Sequence, residues 1–143
     1  MHDIARNCTR VIVSTPEALV NQPMMILIAG PYRSGTNDDP CLIAQNLDRL
    51  ESFASQVYQI GHIPMIGEWV ALPLMKQAGS ARLGDPISEQ YLYPVADRLL
   101  RRCDAVLRIP GASHGADQDV RLARQRGLPV YSRLEEIPAL PNA

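Results

Sequence analysis

The first convincing hydrophobic segment is the uninterrupted apolar run 25–29, which ends at a Gly-Pro pair. A short apolar run bounded by turn residues is typical of a strand buried on both faces, as in a parallel sheet. After a polar loop, apolar residues recur three or four positions apart over residues 43–57. This spacing predicts the buried stripe of an amphipathic helix, which Gly61 ends.

The rest of the chain continues to alternate between strand and helix patterns. Residues 63–66, 104–109 and 129–131 are predicted strands, 87–102 is a predicted helix interrupted at Pro94, and 115–126 is a predicted helix that ends at Gly127. The intervening segment 67–86 is long and contains one proline, Pro73, and two glycines, Gly79 and Gly84, besides its terminal residues. A short helix is predicted at 70–76, and the segment is long enough to be a mobile flap.

The predicted order β-α-β-(α)-α-β-α-β indicates an α/β protein with a mostly parallel sheet and helices on both faces. Binding sites in such sheets form where the strands end, so the loops at 30–39 and 110–115 are the candidates. We expect one domain over residues 24–143. Residues 1–23, with a short apolar stretch at 11–13, are predicted to be an N-terminal extension of unknown role.

Composition and charge narrow the classes of partner. The chain has 143 residues, of which 46% are hydrophobic, and a formal net charge of -1. The absence of a basic excess argues against a nucleic-acid polymer as partner. No apolar run reaches the roughly 18 residues that span a bilayer, and the N-terminus has no long apolar segment of a signal peptide. We therefore expect a cytoplasmic protein without a membrane partner.

The cysteines indicate neither a disulfide framework nor a metal site. Cys8, Cys41 and Cys103 are odd in number, widely spaced and without a CxxC pair. That usage fits a reducing compartment. No metal and no cofactor is expected.

The loop after the first predicted strand, residues 30–35, reads GPYRSG. A glycine at position 30 lets a ligand approach the backbone closely. Arg33 and Ser34 supply a cation and a hydroxyl, which are the parts of an oxyanion or phosphate site. The loop has neither the GxxxxGK[ST] nor the GxGxxG spacing. The alternative is a tight turn with an exposed arginine.

The second candidate loop leads into a helix at residues 113–119, where free N–H groups and the helix dipole favour anions. Ser113 is either a ligand-binding hydroxyl or a helix cap, and caps are common. At about 100° per residue, Asp119 lies at the edge of the buried stripe, whereas Asp117 lies further towards solvent. A carboxylate at the edge of a core is the better candidate for a tuned acid or nucleophile.

Four further residues are candidates with strong structural alternatives. His114 is a candidate because histidine side chains ordinarily change charge near neutral pH, but a lone histidine is more often structural. Tyr32 and Trp69 are able to stack on a nucleobase, although a single tryptophan in a small domain more often lies in the core. Asp104 opens a predicted strand, where a carboxylate is usually a turn residue or an ion-pair partner.

Several of these segments together resemble a known family. Residues 28–32, IAGPY, resemble the strand-end motif of the nucleoside 2-deoxyribosyltransferases. Residues 103–107, 115–119 and 127–130 are similar to the second motif block of that family in order and spacing. The resemblance spans about residues 25–132. It implies a flavodoxin-like sheet, a three-layer α/β/α fold, and chemistry at the N-glycosidic bond of a deoxynucleoside.

The resemblance also implies roles for individual residues. In the family, a carboxylate on the last motif's helix attacks the anomeric carbon of the sugar, and the base leaves through an oxocarbenium-like transition state. Asp119 falls at the position of that nucleophile, Tyr32 at that of an orienting aromatic, and Asp104 at that of a second carboxylate. Family members complete their sites across subunit interfaces, which implies a homo-oligomer.

Departures from the family pattern bear on the substrate. The nucleophile is usually Glu, so Asp119 is one methylene shorter, and Arg121 replaces a small residue. Ser113 replaces a base-reading Asp. Its spacing to Asp119 resembles instead the branch that hydrolyses deoxynucleoside 5′-monophosphates, where the serine belongs to the phosphate site. The predicted ligand-binding residues are Gly30, Pro31, Arg33, Ser34, Gly35, Ser113, His114, Gly115 and Trp69.

Three functions therefore stay open from the sequence. The first is an enzyme that cleaves or transfers at the N-glycosidic bond of a deoxynucleoside or its 5′-monophosphate. The second is a protein that binds a nucleotide or nucleotide-sugar without turnover. The third is a structural or interaction domain.

Overall fold

The structure is a computed structural model that describes residues 22–141. Its elements are β1 (Met25–Ala29), α1 (Pro40–Gln59), β2 (Ile63–Met65), α2 (Gly67–Gln77), α3 (Pro86–Leu100), β3 (Ala105–Arg108), α4 (His114–Gln125), β4 (Val130–Tyr131) and a 3₁₀ turn (Leu134–Glu136). The predicted alternation of strands and helices is confirmed. The stretch at 11–13, and all but the last two residues of the predicted extension 1–23, lie outside the described residues.

The sheet has the strand order β2-β1-β3-β4, and every pair of neighbours is parallel. Leu27 of β1 pairs with Met65 on one side and with Val106 on the other. The chain therefore leaves β1 in one direction and later returns to its other side. In an open parallel sheet, this reversal of direction places a crevice between the carboxyl ends of β1 and β3.

Alternate residues of β1 supply the two halves of the core. Ile26 and Ile28 pack in one cluster with buried residues of α1, whereas Leu27 and Ala29 pack in another with buried residues of α4 and the end of α3. All four side chains are at most 3% exposed. The apolar run at 25–29 therefore has helices on both faces, which gives the three-layer α/β/α, flavodoxin-like fold predicted from the sequence.

Helix α1 forms where its caps and its apolar stripe agree. Asp39 caps its first turn by accepting a hydrogen bond from the Cys41 N–H at 2.8 Å. Pro40 occupies the first turn, where its missing N–H costs nothing. The buried face carries Leu50, Ala54 and Val57. Beyond the helix end, Gly61 adopts a φ of 101°, which only glycine accepts readily.

Helix α2 confirms the helix predicted at 70–76 and extends it, so that the segment 67–86 is not a flap over its whole length. The helix begins at Gly67, directly after β2, and its buried Ala71 and Met75 pack against Val95 of α3. This packing joins the segment to the rest of the protein through a small apolar cluster of its own. Only residues 78–85 connect α2 to α3.

Helix α3 is continuous, although an interruption at Pro94 was expected. Proline removes one backbone donor, so the Gln90 carbonyl loses its helical partner. Both residues are exposed, and water is therefore available to that carbonyl. At its start, the helix is capped by Asp85, which accepts from the Ser88 N–H at 2.8 Å. This hydrogen bond and others lower the pKa of Asp85 to about 2.

The C-terminal segment packs on the α1 face of the sheet. Buried Ile137 belongs to the same cluster as the buried residues of α1. The Leu140 N–H donates to the Ile60 carbonyl at 2.9 Å, and buried His62 bonds both to Met24 and to Pro138.

Among the described helices, none is both long and apolar enough to cross a membrane.

Candidate functional site

A cavity of about 390 Å³ lies at the carboxyl edge of the sheet, where β1 and β3 end. The predicted residues that line it are Gly30, Tyr32, Arg33, Ser34, Ser113, His114, Gly115 and Asp119. The residues that line it without having been predicted are mainly Gly67 and Glu68 of α2 and Glu89, Leu92, Tyr93 and Ala96 of α3. The two candidate loops therefore meet at one site, and helices α2 and α3 complete its wall.

Hydrogen bonds from α1 and from the loop itself hold the first loop in place. The Asn46 side-chain amide donates to the Tyr32 carbonyl at 2.8 Å. The buried Thr36 hydroxyl donates to the Arg33 carbonyl at 2.5 Å. These bonds fix the backbone from which the Tyr32 and Arg33 side chains extend into the cavity wall.

Gly30 is required by packing rather than only by a ligand. A Cβ at this position would overlap the Ile109 side chain at the end of β3, and would also lie 3.2 Å from Leu50 Cδ2.

Pro31 is buried, and it occupies the space next to Gly111 that a Cβ there would need. Gly35 is exposed with a φ of 73°. Neither Pro31 nor Gly35 lines the cavity.

The Arg33 guanidinium already has an anionic partner. Its Nε donates to Asp38 Oδ1 at 2.6 Å and its Nη2 donates to Oδ2 at 3.1 Å. This pairing raises the pKa of Arg33 and lowers that of Asp38. The guanidinium also lies against Gly84, where a Cβ would overlap it. An anionic ligand at Arg33 would therefore have to compete with the Asp38 carboxylate.

The second loop is organised by Arg108 and by a helix cap. Arg108 donates to the carbonyls of Ile109 and Gly111 and to Asp117 Oδ1, at 2.6, 2.9 and 3.0 Å. Ser113 caps α4, because its hydroxyl accepts from the Ala116 N–H at 3.1 Å. The capping alternative for Ser113 is therefore present, and the same side chain also borders the cavity.

The two acids of α4 lie in different surroundings. Asp119 is half-buried in the cavity, and its pKa is raised to about 7, first by burial and then by the charge of Glu68. The positive charge of Arg108 acts in the opposite direction. The Asp117 side chain is 63% exposed and pairs with Arg108. The helical wheel predicted this division from the sequence.

Glu68 is a cavity residue that sequence reasoning missed. It stands in the first turn of α2, three residues after β2 ends, and burial raises its pKa against a hydrogen bond from its own N–H. Its charge raises the pKa of both Tyr32 and Asp119, which line the same cavity. The rule that sites form at strand ends applied to β2 as well, but interpreting 67–86 as a flap hid this acid.

Helix α3 supplies a wall of mixed character. Leu92 and Ala96 are apolar, whereas Glu89 and Tyr93 offer a carboxylate and a phenol. Tyr93 is 45% exposed, and its Cε1 lies 4.0 Å from where a Cβ on Gly115 would stand. An aromatic ring at this position is available to a flat ligand.

The structure does not bring Asp104 and Trp69 to the cavity. Asp104 Oδ2 accepts from the Met25 N–H at 2.9 Å, which places it at the amino end of β1 and β3, opposite the cavity. Trp69 is 39% exposed, and its Nε1 donates to Glu51 Oε2 of α1 at 2.9 Å. Over residues 22–141, no group of three or more His, Cys, Asp and Glu side chains is arranged to hold a metal ion.

Comparisons with known proteins bear on the fold. No family model and no curated protein matches the sequence. The structure is similar to that of a 2-deoxyribosyltransferase from the psychrotolerant bacterium Bacillus psychrosaccharolyticus, with a TM-score of 0.53 and 14% sequence identity. The match covers 81% of this chain and 82% of that one. At this identity, the likeness shows a shared fold.

Proposed function

We propose that this protein cleaves or transfers at the N-glycosidic bond of a deoxynucleoside or deoxynucleoside 5′-monophosphate. Asp119 is the nucleophile or general base, and Tyr32 lies in the same cavity to orient it. The observation that carries the proposal is the Asp119 carboxyl, half-buried at the carboxyl edge of the sheet with a pKa of about 7. Displaced pKa values of this kind are common in catalytic acids and bases.

The shape and lining of the cavity support a nucleoside-sized ligand. Pockets of about 300–1,000 Å³ with mixed lining are typical of small-molecule sites. Tyr93 and Leu92 supply an aromatic and an apolar surface for a base, while Ser113, His114 and the start of α4 offer polar groups for a sugar or phosphate. The similar protein from Bacillus psychrosaccharolyticus is named as a 2-deoxyribosyltransferase, which agrees with this substrate class.

The homo-oligomer implied by the family resemblance stays a prediction. Trp69, Leu74 and Tyr93 are 39–46% exposed and lie on α2 and α3, which pack on each other beside the cavity. These side chains are among the exposed apolar residues available to a second copy. Sedimentation of the purified chain measures the oligomeric state directly.

A second candidate is a protein that binds a nucleotide without turnover. Two observations favour it. Asp119 is one methylene shorter than the glutamate of the deoxyribosyltransferases that the sequence resembles, and the Arg33 guanidinium is already hydrogen-bonded to the Asp38 carboxylate. A displacement on the order of 1 Å can cost roughly a hundredfold in rate. Binding without reaction would still stabilise the folded protein against heat.

The deciding experiment is a chromatographic assay for free base. The protein is incubated with each deoxynucleoside and each deoxynucleoside 5′-monophosphate, beside Asp119→Asn. We expect release by the wild type and a loss of at least about a hundredfold in the variant. Asp117→Asn, which removes a solvent-facing carboxylate from the same helix, is the matched control and retains most of the activity. Thermal stabilisation without release of base would instead favour the binding protein.

A further inference from the structure

Two carboxyl groups from different helices share the cavity. Glu68 comes from the first turn of α2 and Asp119 from the second turn of α4, and both line the same cavity. Over the described residues, no lysine, arginine or histidine forms an ion pair with either. Arg108, the cation that acts on Asp119, is already bonded to Asp117 and to two carbonyls.

Among the surrounding charges, only that of Arg108 lowers the pKa of Asp119, and it does so only in part. The titratable and charged groups that line the cavity or act on Asp119 are Glu68 of α2, Glu89 and Tyr93 of α3, Arg108 of β3, Tyr32 and Arg33 of the first loop, and His114 of α4. Arg33 is neutralised by Asp38. Two partly buried carboxyls of one cavity, neither of which is ion-paired in the described residues, resist double ionisation, because like charges repel strongly where water is excluded.

We propose that Glu68 is the second catalytic carboxyl of this cavity and holds one proton jointly with Asp119. This inference rests on the proposed glycosidic chemistry and adds a residue to it. It supplies at one pH both the carboxylate and the acid that cleavage of a glycosidic bond requires.

The proton moves as follows during cleavage. Glu68 accepts the Asp119 proton through a water molecule, since the two carboxyls are not hydrogen-bonded to each other in the described structure. An Asp119 oxygen then forms a bond to the anomeric carbon, the carbon–nitrogen bond breaks, and its electron pair goes to the base nitrogen, which takes the proton from Glu68. In hydrolysis, water attacks the same carbon and gives a proton to Glu68 while Asp119 leaves as a carboxylate. The pair then again holds one proton.

The first test is an NMR titration of Asp119 with ¹³C-labelled aspartate carboxyls, which needs no substrate. We expect the Asp119 midpoint, about 7 in the wild type, to fall by about one unit or more in Glu68→Gln. Glu68→Asp keeps a charge in place and retains most of the elevation. Glu89→Gln, which removes another carboxylate of the same cavity, is the matched control and leaves the midpoint within a few tenths of a unit. An unchanged midpoint in Glu68→Gln overturns the proposal.

The second test separates proton donation from a structural role. Glu68→Gln is expected to release base from an ordinary purine deoxynucleoside about 10² to 10⁴ times more slowly. With an N7-methylated purine deoxynucleoside the base leaves without needing a proton, so the same variant retains most of its activity. Asp119→Asn loses activity on both substrates. An equal loss on both substrates in Glu68→Gln overturns the donor role.

The results distinguish a failure of this proposal from a failure of the proposed glycosidic function. If the wild type releases base from no substrate, the glycosidic function fails and the donor role fails with it, while the titration still decides whether the proton is shared. If the wild type is active and Glu68→Gln equals it on every substrate, the glycosidic function stands and the role of Glu68 is overturned.

Discussion

The carboxyl of Asp119 is held where its ionisation opposes folding. Its pKa in the folded protein is about 7, above the ordinary value of about 3.9. Between these two values, the folded state binds more protons than the unfolded chain, so the free energy of unfolding falls as the pH rises. A group that costs stability in this way is more readily explained by function than by packing.

We therefore expect Asp119→Asn to be more stable than the wild type at pH 8. The gain in the free energy of unfolding is on the order of 2 kcal/mol there, and it shrinks with falling pH until it vanishes near pH 4. Urea unfolding at a series of pH values measures it. Asp117→Asn removes an exposed carboxylate and is the control, with no gain at pH 8. If Asp119→Asn were less stable than the wild type at pH 8, the claim that burial of the Asp119 carboxylate costs stability would be contradicted.

Gly30 was predicted to lie at the site and does line the cavity, but the reason given for a glycine there was incomplete. The sequence predicted room for a ligand at this glycine, but the nearest obstacle to a side chain is Ile109. We expect Gly30→Ala to cost about 1–3 kcal/mol of unfolding free energy through overpacking. In a double-mutant cycle with Ile109→Ala, the combined loss should be smaller than the sum. Strict additivity would show that Ile109 is not the obstacle.

At the scale of elements, patterns in the sequence were reliable where periodicity and caps agreed. The strand at 25–29 and the helix ending before Gly61 were predicted because apolar spacing and turn residues indicated the same bounds. Prolines on an exposed helix face led to wrong predictions, because they were taken to interrupt the helix. Pro73 and Pro94 both stand inside continuous helices, at exposed positions where water is available to the carbonyls that they leave unpaired. The wall that carries Glu68 was missed for this reason.

The first loop contains a contact that sequence spacing could not reveal. Asp38 has a positive φ of 60°, an uncommon conformation that aims its carboxylate at Arg33. If Arg33 binds a phosphate, Asp38 competes with that phosphate, and its removal should favour the phosphorylated ligand.

We therefore expect Asp38→Asn to increase the affinity for a deoxynucleoside 5′-monophosphate relative to the nucleoside by about two- to fivefold. The range corresponds to the small contribution of an exposed ion pair. Isothermal titration calorimetry with both ligands measures the ratio, and Asp48→Asn, an exposed carboxylate of α1 outside the cavity, is the control. Arg33→Ala should remove the preference. A ratio that neither variant changes would mean that Arg33 does not contact phosphate.

At the scale of the whole molecule, sequence patterns predicted which loops approach each other. They did not predict the hydrogen bonds that hold the first strand and the C-terminal segment in place. The switch point between β1 and β3 follows from strand order, and it brought residues 30–35 and 113–119 to one cavity. The role of Asp104 could not be foreseen in the same way. Because Asp104 opens a predicted strand, the sequence places it at the amino edge of a parallel sheet, but it does not show that its partner there is the Met25 N–H.

His62 fastens both ends of the described chain and had no signal in the sequence. Its side chain is 2% exposed; Nδ1 accepts from the Met24 N–H at 3.0 Å, and Nε2 donates to the Pro138 carbonyl at 2.6 Å. The first bond lies at the start of β1 and the second in the C-terminal segment. Because the Met24 N–H is a donor, Nδ1 is the acceptor of the first bond and Nε2 is the donor of the second.

We expect His62→Ala to lower the free energy of unfolding by about 2–4 kcal/mol, since it leaves a cavity and two unpaired backbone groups. Urea unfolding at pH 8 measures the loss, and His114→Ala, an exposed histidine, is the control at within about 0.5 kcal/mol. Hydrogen exchange adds a location: the Ile63 and Leu140 amides, which donate to Met24 and Ile60, should lose protection in His62→Ala before the amides of β3 do. Uniform loss of protection across the sheet would mean that His62 stabilises the whole core and does not fasten the chain ends.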